Sequence, residues 1–270
     1  ILLAGDMKQA HLRIIANEWR VPSLRDAYLQ GHDPYLVTAG AIFGEKDLRR
    51  GGWSGDWGKK PADGSPAAAL RQAAKTYLLA SLYAARPDTK QLVVAGTEEE
   101  VLDSAGRPTG ETRFPYLDID AVMVSRWDDD WHAAEPGWKR AWASCEATYR
   151  SNGGFMYEPV LGRRSGNLND GEANDVVNFP ILAGEASLMR LVEARVLDAF
   201  PFEVDGEGTG MVAQTHDGIV IEVKDKGPEE NARRLALLGE CMTMGAIPAL
   251  GWDVKIEADV HLGKNWAELG

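Results

Sequence analysis

The chain has 270 residues, enough for one large core or two intimate subdomains. Charged residues make up 26% and hydrophobic ones 44%, an ordinary globular balance, and no apolar run reaches the ~18–20 residues of a membrane-spanning helix. The net charge of −12 excludes a uniformly basic nucleic-acid coat, although basic pairs such as Arg163-Arg164 and Arg233-Arg234 occur locally.

The chain opens on the apolar run Ile1-Leu-Leu-Ala-Gly5, read as a strand that delivers Asp6. Because the run starts without Met and reads as the middle of a fold, a piece of a longer protein is expected. Gln9 to Trp19 follows as a helix with Leu12, Ile15, Ala16 and Trp19 on one face. Pro22 starts a second helix to about Gln30, and Asp33-Pro34 a third that ends at Gly44. Residues 51–65, rich in Gly, Lys and Trp, read as a loop, and a long Ala-rich helix then runs from about Pro66 to Ala85.

Residues 90–120 carry the strand-like piece Gln91-Leu-Val-Val-Ala and the turn signal Ser104-Ala-Gly-Arg-Pro108. Helix returns at Trp138–Arg150 and is broken by Gly153-Gly154, and a long amphipathic helix covers 183–200. Met211–Thr215 and Gly218–Val223 read as a hairpin with its turn at Asp217-Gly218. Glu229–Met244 reads as helix, and the alternating Asp253-Val-Lys-Ile-Glu-Ala-Asp259 as a last strand. The pattern predicts an α+β fold: an antiparallel sheet built from the two ends of the chain, with a mainly helical insertion. Cys145 and Cys241 read as two reduced thiols, which points to an intracellular, cytoplasmic setting.

Three segments concentrate the chemistry. Arg71, Lys75, Leu79 and Tyr83 follow at i, i+4 spacing, so one helix stripe is cationic at one end and apolar at the other. A nucleoside triphosphate has the complementary layout: Arg and Lys would grip phosphates, while Leu79 and Tyr83 would meet sugar and base. Asp6 follows a strand and Asp217 sits in a hairpin turn, exposed positions where a carboxylate can ligate a hard cation. Taken singly, each has an ordinary reading: helix cap, turn residue, solvated amphipathic helix.

Taken together and in this order, the segments resemble motifs A, B and C of the family A DNA polymerases. Asp6-Met-Lys-Gln9-Ala-His11-Leu12-Arg13 is similar to the D-x-S-Q-x-E-L-R of motif A. Arg71, Lys75 and Tyr83 match the R-x3-K-x7-Y-G of motif B, with Ala84 at the glycine; His216-Asp217-Gly218 resembles the H-D-E of motif C. Leu161-Gly-Arg163-Arg164 is similar to L-F-G-R-R, and Asn178-Phe-Pro180 through Arg190 to N-M-P-V-Q-G-T-A-A-D-L-M-K.

The resemblance implies a palm over residues 1–30 and 153–270 and fingers over 31–152. It implies template-directed addition of deoxynucleotides to a primer 3′-hydroxyl, with two Mg²⁺ ions (Mn²⁺ as the alternative) held by Asp6, Asp217 and the Met7 carbonyl. Lys75 would protonate the leaving pyrophosphate, and Gln9, His11, Arg71, Lys75, Leu79 and Tyr83 would bind the nucleotide. Arg163, Arg164, Asn178 and His216 would touch primer–template DNA. Partners would be DNA, deoxynucleoside triphosphates and upstream thumb or exonuclease domains or an accessory subunit, with no membrane.

Four positions depart from the family. His11 stands where a glutamate helps exclude the ribose 2′-hydroxyl, Leu79 where an aromatic packs on the nucleotide, Leu182 where a glutamine reads the minor groove, and Gly218 at the motif C glutamate. Two alternatives stay open: a ribonucleotide-accepting relative, primase-like or RNA-synthesising, and an inactive polymerase-like DNA-binding module. A nuclease acid pair at Asp118 and Asp120 has no partner motif, and the five histidines lack zinc-ligand spacing.

Overall fold

A computed structural model describes residues 1–95, 99–102, 107–113, 121–166, 168, 173–200, 210–245 and 247–269. Its architecture is α+β, as the sequence pattern predicts. The chain divides into two compact units, Ile1–Glu18 with Phe155–Asn167 and Phe179–Gly270, and Trp19–Gly154 with Leu168–Asn178.

The first unit holds a four-stranded antiparallel sheet in the order β4 (Gly210–Thr215), β5 (Gly218–Glu222), β1 (Leu2–Met7), β6 (Ala258–Gly263). Strand period two puts Leu3, Gly5 and Met7 on the buried face and Asp6 on the open one. Leu3, Met7, Ile219 and Ile221 pack with Ile14 of α1 (Ala10–Glu18), Leu188 and Val192 of α9 (Ala173–Ala199), and Leu238 and Met242 of α10 (Pro228–Met242). Burying each such side chain contributes roughly 1.5–3 kcal/mol. Gly5 lets this packing close, since a Cβ there would stand 2.0 Å from the sulfur of buried Met242 and push that side chain aside.

Residues 253–257 depart from the predicted strand. Val254 and Ile256 are buried as alternation requires, but the ladder on β1 begins only at Ala258. An isolated backbone bridge between Ile256 and Met244 (2.8 Å each way) and side chains of α1 hold the segment instead. Asn17 accepts from Asp253 and Val254 N–H (3.0 Å each) and donates to the Val254 carbonyl (2.9 Å). Arg13 donates to the Lys255 carbonyl (2.6 Å) and pairs with Glu257 (2.6 Å). Helix α9 also starts ten residues before the predicted 183 and passes through Pro180, whose missing N–H would have reached the Val176 carbonyl.

The second unit is mainly helical: α2 (Pro22–Leu29), α3 (Pro34–Phe43), α4 (Glu45–Arg50), α5 (Pro66–Leu82), α6 (Pro87–Ala95), α7 (Ala121–Ala134) and α8 (Gly137–Ser151), with a hairpin β2 (Glu99–Leu102) and β3 (Pro108–Arg113). Proline opens α2, α3 and α5, and Asp33 and Ser65 cap α3 and α5 by accepting from N–H groups of the first turn. Leu36, Ala39, Leu48, Trp53, Ala67 and Ala74 form one core of this unit.

Gln91–Ala95, expected as a strand, lies in α6. Pro87 and Asp88 form a helix start, and helical spacing lets Lys90 and Val94 turn inward together. Fully buried Lys90 pairs with Asp128 of α7, which also accepts from the Tyr77 hydroxyl (2.8 Å) and lies 3.7 Å from His132. Burial pushes the Lys90 ammonium down despite Asp128, and His132 down to about 4. Helices α4 and α7 have no counterpart in the sequence reading. The predicted turn at 104–106 and the acid pair of Tyr116-Leu-Asp118-Ile-Asp120 lie outside the described residues.

Candidate active site

Strand β1 delivers Asp6 to the open face of the sheet, and the β4–β5 hairpin delivers Asp217 beside it. Asp6 is paired with Gly218 in the ladder, and the Met7 N–H donates to the Asp217 carbonyl (3.0 Å). The hairpin strands end and begin where the sequence predicts, at Thr215 and Gly218, although the tight turn is not made by Asp217-Gly218 itself. Thr215 pairs with Gly218, so His216 and Asp217 form the two-residue loop, and His216 rather than the glycine takes the left-handed conformation (φ 50°). Gly218 instead makes room: a Cβ would lie 3.4 Å from the Asp6 carboxylate and 3.3 Å from the Thr215 carbonyl.

The two carboxyl groups are within hydrogen-bonding reach of each other. Partial burial, then repulsion from Asp6 and Glu185, pushes Asp217 up to about 6. Asp6 is also raised, first by partial burial and then by Asp259 and Glu185, with the Asp217 hydrogen bond and His261 acting in the opposite direction. Burial is the leading cause for both, and only Asp217 is raised further by its partner. Two side-by-side carboxylates are an oxygen donor set suited to a hard divalent cation that keeps waters and takes further oxygens from substrate phosphates. Among the described residues no group of three His, Cys, Asp or Glu side chains is arranged to hold a metal.

Two acidic neighbours escaped the sequence reading. Asp259 of β6 stands directly across the ladder from Asp6 and is paired with Lys8 (2.7 Å). Its signal was the parity of the last strand, which places 259 and 261 on the open face. Glu185 on α9 is hydrogen-bonded by the His11 ring. Only spatial proximity reveals it, because its own helix gives no hint of that partner. Gln9 is left-handed (φ 53°), and its carbonyl accepts from the Arg13 N–H (3.1 Å), opening α1.

In the second unit, α5 presents the basic stripe. Arg71 Nε and Nη2 both donate to Asp33 Oδ2 (2.8 and 2.6 Å), and the guanidinium lies 5.2 Å from the centre of the Tyr35 ring. The Lys75 ammonium is 5.7 Å from the same ring. The sequence marks Asp33 only as the start of a helix and does not single out Tyr35. Leu79 is half-buried, and Tyr83 is half-buried just past the end of α5. Ala84, the next residue, is left-handed (φ 50°).

The remaining candidates have these surroundings. Arg163 donates to the Ser187 hydroxyl (3.0 Å) and the Ala183 carbonyl (2.8 Å) of α9. Buried Glu158 organises that loop, accepting from the N–H groups of Val160, Leu161 and Arg163 (2.7, 2.9 and 3.0 Å). Arg164 is exposed and stacks over Phe155 at 4.4 Å. Asn178 keeps a buried Oδ1 with no partner among the described residues. His216 is exposed, and its carbonyl accepts from the Gln214 amide (3.1 Å).

Compared with known proteins, the chain is 24% identical to the thermostable DNA polymerase I of Thermus filiformis over 99% of this chain and 27% of that protein. It is 24% identical to the thermostable DNA polymerase I of Thermus aquaticus over 98% of this chain and 27% of that protein. With DNA polymerase I of Rhizobium leguminosarum it shares 22% over 99% of this chain and 23% of that protein. The chain thus spans about a quarter of the length of the curated relatives it matches. In fold it is similar to the POL domain of Pol1 from M. smegmatis, solved in complex with DNA primer-template and dNTP: TM-score 0.69, 19% identity, 99% of this chain and 40% of that chain. No protein-family model matches the chain. Among the described residues, no helix is long and apolar enough to cross a membrane.

Proposed function

We propose that this family A polymerase-like region, similar to DNA polymerase I along its whole length, extends a primer 3′-hydroxyl with deoxynucleotides directed by a template. The observation that carries the reading is the pairing of β1 with the β4–β5 hairpin, which sets Asp6 against Asp217 although 211 positions separate them. Burial, with Glu185 beside both, opposes ionisation of these two carboxyl groups, and a bound cation would relieve it, which supports a cation-dependent site.

In this reading Asp6, Asp217 and the Met7 carbonyl hold Mg²⁺, which would supply Lewis-acid activation and charge neutralisation in nucleotidyl transfer. The primer 3′-hydroxyl would give its proton to solvent as its oxygen bonds to the α-phosphorus, while the bond from that phosphorus to the bridging oxygen breaks and releases pyrophosphate. Arg71 and Lys75 hold the triphosphate, and the Lys75 ammonium gives its proton to the departing pyrophosphate. Arg163, Arg164, Asn178 and His216 face the primer–template, and the orphaned Asn178 oxygen is an acceptor suited to an incoming donor.

The ribonucleotide-accepting reading rests on His11. That ring is not alone, because Glu185 brings a carboxylate to it, and this favours deoxynucleotide selection. Primer extension by wild type, Asp6→Ala and Asp217→Ala, each with dNTPs and with rNTPs, tests the proposal. Template-directed extension by wild type that both substitutions abolish without lowering the melting temperature is expected. Extension that survives both would overturn the assignment, and a wild type that binds primer–template without extending it would favour the inactive module.

A further inference from the structure

We propose that Asp33 is a positioning residue for triphosphate binding: it clamps one edge of the Arg71 guanidinium so that the Nη1 edge is presented, pre-oriented, to a phosphate. The inference rests on the proposed function and adds to it a residue that no sequence motif singled out. The Asp33 carboxylate divides its two oxygens between two tasks. Oδ1 caps α3 by accepting from the Tyr35 and Leu36 N–H groups (2.9 and 3.4 Å). Oδ2 takes both Nε and Nη2 of Arg71 (2.8 and 2.6 Å).

The guanidinium is planar, so fixing that edge also fixes the direction of Nη1. The Tyr35 ring, carried two residues beyond the cap, lies against the face of the guanidinium and near the Lys75 ammonium, so one short element sets both cations. The opposite reading would make Asp33 a competitor that phosphate must displace. Burial argues against it. The Asp33 and Arg71 side chains are only 8% and 14% exposed, so an Arg71 that swung away would leave a buried carboxylate without the cation that pairs with it. Phosphate therefore adds to the clamped arginine, and pre-orientation lowers the ordering cost of binding.

Asp33→Asn separates the two tasks. The amide oxygen still caps α3, while the amide nitrogen is a donor that cannot face the Arg71 donors, so the clamp alone is lost. Affinity for dATP, measured by calorimetry on the whole chain, is expected to fall about tenfold, the scale of one lost charge-assisted contact. In primer extension KM for dATP should rise in parallel while kcat stays within about twofold of wild type, and Arg71→Ala should cost much less in the Asp33→Asn background than in wild type. Unchanged or tighter dATP binding with the fold intact would overturn the proposal. A purely structural role would lower the melting temperature and leave KM unmoved. If wild type binds dATP without extending a primer, the polymerase reading fails while the calorimetric comparison still decides the role of Asp33.

Discussion

His11 of α1 and Glu185 of α9, 174 positions apart, are hydrogen-bonded to each other next to the Asp6–Asp217 pair, and Glu185 adds to the repulsion on both aspartates. Position 11 carries no carboxylate of its own, and Glu185 brings one to its ring. The expected consequence is sugar selectivity that depends on Glu185. Glu185→Ala should lower the ratio of kcat/KM for dNTP over rNTP by about tenfold, on the scale of one specific polar contact, and His11→Glu in that background should restore it. A ratio that Glu185→Ala leaves unchanged would remove this pair from substrate selection.

Asp217→Asn should make the fold more stable while it abolishes extension. Above pH 6 the wild type carries ionised Asp217 against a folded-state preference of about 6, raised from 3.8, so its ionisation opposes folding there. Discounted for solvent screening, the gain from the amide is on the order of 1 kcal/mol, or a few degrees in melting temperature at pH 7.5. The advantage should shrink as pH falls from 6 toward 4, where wild-type Asp217 protonates. Mg²⁺ should raise the melting temperature of wild type and have little effect on the variant. A variant less stable than wild type at pH 7.5 without metal would contradict the repulsion.

Ala84→Gly should stabilise the end of α5. The left-handed backbone of Ala84 costs about 1–2 kcal/mol relative to glycine, part of which is returned by the greater unfolded-state freedom of glycine, leaving a net gain of about 0.5–1 kcal/mol. The turn is already stitched by Ala84 N–H to the Ser81 carbonyl and Ala85 N–H to the Ala80 carbonyl (3.1 and 3.2 Å), so relief of strain is the main change. Thermal melts of the two proteins check it, and a lower midpoint for the glycine variant would refute it.

What the sequence disclosed, and what it withheld, follows the range of the forces involved. Proline and cap residues act within one turn, so the starts at Pro22, Pro34 and Pro66 were readable. Period-two alternation placed Asp6 on the open face and Val254 and Ile256 inside, but it could not say that Asn17 and Arg13 would replace a ladder at 253–257. A short apolar run such as Gln91–Ala95 satisfies strand and helix alike, and the tertiary pairing of Lys90 with Asp128 fits the helix. The Asp33 cap was local and legible. Its hold on Arg71, 38 positions away, was not, and neither was Glu185 against His11.

The buried Lys90–Asp128 pair yields a stability prediction of its own. Lys90 Nζ has no exposure and lies over the Tyr77 ring at 4.7 Å and the Trp131 ring at 5.8 Å, so the ammonium is held by Asp128 and two aromatic faces. Lys90→Met fills a similar volume with an apolar chain but leaves the Asp128 charge with a phenol and with His132, whose protonation burial opposes. Removing one member of a buried pair costs about 3–5 kcal/mol, whereas removing both charges costs far less. Adding Asp128→Asn, which still accepts from the Tyr77 hydroxyl, should therefore recover most of the loss. Urea midpoints of the three proteins measure the difference. A single Lys90→Met change costing under about 1 kcal/mol would mean that the pair carries no uncompensated charge and that packing of the lysine stem alone accounts for its burial.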